Sequence, residues 1–75
     1  MLEYAIKLTW DEEASVWIAE SEDIPGLILE SDSFDKLIER VRLAVPEMLE
    51  LNFGYRGEFQ IAFEAERIDN MKAVV

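Results

Sequence analysis

The sequence predicts an α+β domain of two layers in the order β-β-β-α-β: an antiparallel three-stranded meander, a fourth strand, and one helix packed on one face. Three observations predict it. Apolar residues alternate with others from Leu2 to Trp10. From Phe34 to Leu49 the apolar residues recur every three or four positions. Alternation returns between Phe59 and Ala65. The first and third patterns have the period of a half-buried strand, and the second has that of a helix lying on a core.

The first strand places Leu2, Tyr4, Ile6, Leu8 and Trp10 on one face, with Glu3, Ala5, Lys7 and Thr9 on the other. Asp11 to Ser15 is a polar connector of hairpin length. Val16 to Ser21 forms the second strand, with Trp17 and Ala19 on one face and Val16 and Ile18 on the other. Glu22 to Gly26 is a turn. Pro25 pre-sets its own φ, and Gly26 accepts the positive φ that a type II turn requires next. Leu27 to Ser31 is a short third strand.

The helix runs from Ser33 to Leu51, with a core stripe of Phe34, Leu37, Ile38, Val41, Ala44, Val45, Met48 and Leu49. Ser33 is the N-cap, and Asp35 suits the positive end of the helix dipole. Pro46 lacks an amide hydrogen and crowds the carbonyl of Arg42, which predicts a kink or a break. Asn52 and Gly54 are both suited to cap the C-terminus. Between Tyr55 and Ile68, a fourth strand alternates Phe59, Ile61, Phe63 and Ala65 with Gln60, Ala62, Glu64 and Glu66. Asp69 to Val75 either extends it or frays. Ala5, Val16, Ile18 and Ala62 lie on the face away from the helix, which suggests a face or edge covered in an oligomer.

Seventy-five residues make one small domain, residues 1–75. Such a chain buries only about 60–65% of its unfolded surface, so its stability margin is thin. With 51% hydrophobic residues it still has the means to build a core. Cysteine and histidine are both absent, which excludes disulfides, thiolate or imidazole metal sites and Cys/His nucleophile–base pairs. No apolar run reaches the ~20 residues of a membrane span, and Met1 to Tyr4 does not read as a leader. A cytoplasmic location without membrane association is therefore expected. Seventeen acidic against seven basic residues give a net charge of −10. Nucleic-acid affinity rests largely on Lys and Arg, so direct DNA or RNA binding is not expected. The field favours cationic partners as well as solubility.

Motifs for chemistry are weak. Ser33-Phe34-Asp35-Lys36 matches S-x-x-K but has no companion motif, and it reads as an N-cap before an exposed lysine. Asp11, Glu12 and Glu13 lack the glycine and the alternating ligands of a calcium loop, and read as a solvated turn. No catalytic, cofactor or metal-binding residue is assigned. Leu43 stands opposite the core stripe, among Glu39, Arg40, Arg42 and Glu47, and with Leu51 and Phe53 nearby it is a candidate contact surface.

Tyr4-Ala5-Ile6-Lys7-Leu8, Asp11-Glu12-Glu13, Val16-Trp17-Ile18-Ala19, Asp23-Ile24-Pro25-Gly26-Leu27 and the helix from Ser33 together resemble the N-terminal domain of HicB antitoxins. Val16 to Ser21 and Val45-Pro46-Glu47-Met48-Leu49 are closer still to a group of small HicB-like domains of unknown function. The likeness covers roughly residues 4 to 52. It implies a partial ribonuclease-H-like fold, with sheet order 3-2-1-4 and the last strand parallel to the first. It further implies self-association as a dimer or tetramer, and binding of a small basic RNA-cleaving toxin that the domain silences. Glu20, Glu22 and Asp23 would then supply the complementary charge, with Leu43 and Glu47 as further contacts. HicB proteins continue into a DNA-binding segment that has no counterpart before Val75, so operator binding is not expected. The fold raises metal-dependent nuclease activity as an alternative. The centre of the first strand is Ile6-Lys7-Leu8 rather than an aspartate facing a cleft, and a non-enzymatic binding domain is the better reading.

Overall fold

Period-two patterning builds a mixed sheet around its longest strand. The computed structural model describes residues 2–74. Strand β1 (Leu2–Asp11) pairs antiparallel with β2 (Val16–Glu20) and parallel with β4 (Phe59–Glu66). Strand β3 (Ile28–Ser31) lies antiparallel on the outer side of β2, giving the order β3-β2-β1-β4. The order and the parallel fourth strand match what the resemblance implies.

The register explains which face is buried. Leu8 opposes Ala19 and Trp10 opposes Trp17, so these four share a face with Ile6. Ile6, Leu8 and Ala19 are fully buried beneath the helix. Lys7 opposes Glu20 and Thr9 opposes Ile18 on the other face, which no helix covers. On the helix side, Trp10, Trp17 and Phe34 stack edge to face, with centroids 5.5 and 4.9 Å apart. Such pairs add about 0.5–1.5 kcal/mol beyond the area they bury. Arg67 closes the stack, its guanidinium 4.2 Å from the centre of the Trp10 ring.

Helix α1 (Phe34–Phe53) begins where its cap residue dictates. The Ser33 side chain accepts the Lys36 amide at 3.3 Å. Leu37, Val41, Val45 and Leu49 are buried, and Phe34, Ile38, Ala44 and Met48 pack around them. Of the kink or break expected at Pro46, the break does not occur, and the helix runs on to Phe53. Pro46 and Arg42 both lie on the exposed side, where water can take the carbonyl that Pro46 leaves unpaired. Gly54, at φ 64°, is the residue that ends the helix. Its amide donates to the Glu50 carbonyl at 2.8 Å, the bond of an αL cap, and the Tyr55 amide donates to the Leu49 carbonyl at 3.2 Å. Asn52 is not the cap. Its side-chain amide donates to the Pro25 carbonyl at 2.9 Å and ties the end of the helix to the β2–β3 loop.

Other boundaries also move. β1 reaches Asp11, β2 ends at Glu20, and β3 starts at Ile28 rather than Leu27. The turn at Pro25-Gly26 forms as expected, with Gly26 at φ 84° and the Leu27 amide donating to the Ile24 carbonyl at 3.2 Å. It is more than a turn, because it drives Ile24 and Leu27 into the core at 0% and 2% exposure. β4 stops at Glu66, and residues 67–74 have no regular structure, so the strand is not extended; Val75 lies outside the described residues.

A fully buried loop isoleucine is worth as much as one in a strand. Ile24→Ala is expected to lower unfolding free energy by about 2–5 kcal/mol. Equilibrium urea denaturation checks this, with Ile28→Ala on the exposed sheet face changing stability by under about 1 kcal/mol.

Candidate functional site

The residues singled out from sequence fall into two separate places. Glu20, Glu22 and Asp23 line a depression of about 420 Å³ with Ala5, Lys7, Ser21 and Glu64. It opens on the sheet face away from the helix. Leu43 and Glu47 line a shallower hollow of about 290 Å³ with Leu29, Arg40 and Ala44, on the helix side near β3. The structure therefore does not gather all five residues into one surface. Leu43 is 70% exposed, as its place opposite the core stripe predicts.

The depression follows from strand pairing. The β1–β2 ladder ends at Lys7 opposite Glu20, after which the chain leaves the sheet at Ser21. β1 continues back to Leu2, so its edge there needs other partners. Side chains supply them. Asp23 Oδ2 accepts the Ala5 amide at 2.8 Å, and Ser21 Oγ donates to the Ala5 carbonyl at 2.6 Å. The Asp23 amide in turn donates to Ser21 Oγ at 3.1 Å. Together these contacts replace one rung of a ladder and fix where Glu22 stands. Asp23 therefore has an internal role that the sequence reading did not assign to it.

Lys7 sits at the centre of the charge. It opposes Glu20 on β2 and Glu64 on β4. Four carboxylates, of Glu20, Glu22, Asp23 and Glu64, share the depression with that single ammonium group. Sequence reasoning missed Lys7, Ser21 and Glu64. One signal was available: Lys7 is the first basic residue, and the next is Lys36. Glu64 comes from a strand far along the chain, and only the parallel register brings it there. Among the described residues, no group of three or more acidic side chains is placed to hold a metal ion. No helix among them is long and apolar enough to cross a membrane.

The fold and this open acidic face define a class: a small α+β domain with one helix-covered sheet face and one bare one. The family model for a domain of unknown function (DUF1902) matches residues 3–75, and the chain belongs to that family. A solved structure, that of the hypothetical protein TTHA1013 from the extremely thermophilic bacterium Thermus thermophilus, is similar over 92% of this chain and 99% of its own. It shares 34% sequence identity with this chain, at a TM-score of 0.77. Among curated proteins, none matches the chain. The family match names a small domain of unknown function and not HicB itself.

The clamp on Ala5 separates structural from solvent-facing acids. Asp23→Ala is expected to destabilise the fold by about 1–2 kcal/mol, since it removes a charge-assisted hydrogen bond that holds the loop to β1. Glu22→Ala should stay within about 0.5 kcal/mol of the parent. Urea midpoints of the two variants check the contrast.

Proposed function

We propose that this chain is a non-enzymatic protein-binding domain that self-associates and holds a small basic protein, in the manner of an HicB-type antitoxin masking an RNA-cleaving toxin. The observation that carries this reading is the acidic depression around Lys7. Glu20 and Glu22 project from a β2 end that Ser21 and Asp23 fix in place, so complementary charge is presented on a rigid support. Preset charge of this kind steers an oppositely charged partner and suppresses wrong ones. The net charge of −10 adds a long-range field of the same sign. The central residues of β1, Ile6-Lys7-Leu8, offer an ammonium group where metal-assisted hydrolysis would want a carboxylate, which favours binding over nuclease chemistry.

Co-expression with small basic proteins encoded beside it, followed by affinity capture, tests the reading. The expected result is a stoichiometric complex with one of them and relief of its ribonuclease activity's toxicity to the cell. Reversing charge with Glu20→Lys and Glu22→Lys together should slow association at least tenfold at low salt. The difference should shrink as salt rises, because Coulomb steering is screened beyond about 10 Å at 0.1 M. A complex that forms as fast with the reversed charges overturns the reading of this site.

A further inference from the structure

We infer that β4 is the surface through which two copies of this chain join, pairing antiparallel across a two-fold axis at Phe63 to make one continuous eight-stranded sheet. The inference rests on the self-association proposed above and assigns it a place.

The two open edges of the sheet differ. β3 is short, and the Arg40 guanidinium donates to its Glu30 carbonyl at 2.6 Å, which occupies that edge from the helix side. β4 has eight residues, Phe59 to Glu66, with no proline, lysine or arginine among them. No side-chain hydrogen bond among the described residues reaches its backbone from Phe59 to Glu66. A long edge of that kind, charged at Glu64 and Glu66 but with its backbone left open, is a template for another strand. The helix lies over β2 and β3, so the helix-side residues of β4 are incompletely covered. Phe63 is 37% exposed, and Ala65 is exposed beside it.

The sequence of β4 selects the occupant and the register. A two-fold axis perpendicular to the sheet keeps both helices on one side and pairs residues of like parity. Centred on Phe63, it sets Phe63 against Phe63, Ile61 against Ala65, Ala62 against Glu64 and Gln60 against Glu66. No two carboxylates oppose each other. Centred on Glu64, the axis would set Glu64 against Glu64, and centred on Ala62 it would set Glu58 against Glu66. Like charges directly opposite are destabilising. A chain with a net charge of −10 can therefore meet itself here without direct repulsion.

A strand edge alone buries less than the roughly 800 Å² per partner of a stable interface. The tail supplies the remainder. The molecule is 57 Å long, well beyond the roughly 30 Å of a twenty-residue helix, and residues 68–74, after the Arg67 that rests on Trp10, are exposed throughout. They carry Ile68 and Met71 at 71% and 87% exposure. The Phe63 register directs them along the Tyr55–Glu58 segment of the second copy.

Sedimentation equilibrium of the full chain and single-cysteine cross-linking test this, since the chain has no cysteine of its own. The parent should dimerise, and Ala65→Lys should raise its dissociation constant at least tenfold while leaving the fold intact by circular dichroism. Phe63→Cys should oxidise to a disulfide-linked dimer. Ala65→Cys should not, because its equivalents stand about 14 Å apart along the paired strands, beyond the ~7 Å reach of a disulfide. A dimer indifferent to Ala65→Lys that cross-links as readily at Ala65→Cys overturns this surface while leaving self-association standing. A parent chain that stays monomeric at millimolar concentration overturns both.

Discussion

One helix has to roof four strands, and it is too narrow to do so. A helix with its side chains is about 10–12 Å across. Four strands at about 4.8 Å spacing are wider than that. Helix α1 settles over β2 and β3, and Leu37, Val41, Val45 and Leu49 meet Ile6, Leu8 and Ala19 beneath it. The rest of the roof must come from elsewhere. The β2–β3 loop contributes Ile24 and Leu27, the segment after the helix contributes Tyr55, and the aromatic stack of Trp10, Trp17 and Phe34 closes one end. The uncovered remainder falls on β4, which is why that strand carries both the exposed phenylalanine and the open edge.

The same shortage explains the β2–β3 loop. Its isoleucine can enter the core only if the chain leaves β2 at a fixed point and turns sharply. Ser21 and Asp23 set that point by holding Ala5, and Pro25-Gly26 makes the turn. Asn52 then pins the turn to the helix end through the Pro25 carbonyl. Packing and acidic surface are thus produced by one device: the contacts that bury Ile24 also present Glu22 to solvent.

Much of this was legible in the sequence. The faces of β1 and β2, the stripe of α1, the Ser33 cap and the Pro25-Gly26 turn each follow from local rules of period or dihedral preference, and local rules survive folding. What was not legible depends on contacts between distant residues. Ile24 has no periodic neighbour to mark it as core. Pro46 reads locally as a breaker, and the burial of Val45 and Leu49 on either side of it is what carries the helix past it. The acidic depression joins β1, β2 and β4, so Lys7 and Glu64 become neighbours only through a parallel register between the first strand and the last. Leu43 and Glu47 stood beside Glu20 as candidate contacts by exposure alone, and topology separates them.

The stacked indoles of Trp10 and Trp17 have an optical consequence. Two such chromophores 5.5 Å apart and inclined at 61° couple their electronic transitions. The pair should therefore give a paired-sign circular dichroism band that no isolated tryptophan produces. Because Arg67 rests on one of the rings, that band also registers whether the chain beyond the last strand is seated. The protein thus carries its own spectroscopic gauge, at the end of the sheet where its regular structure gives out.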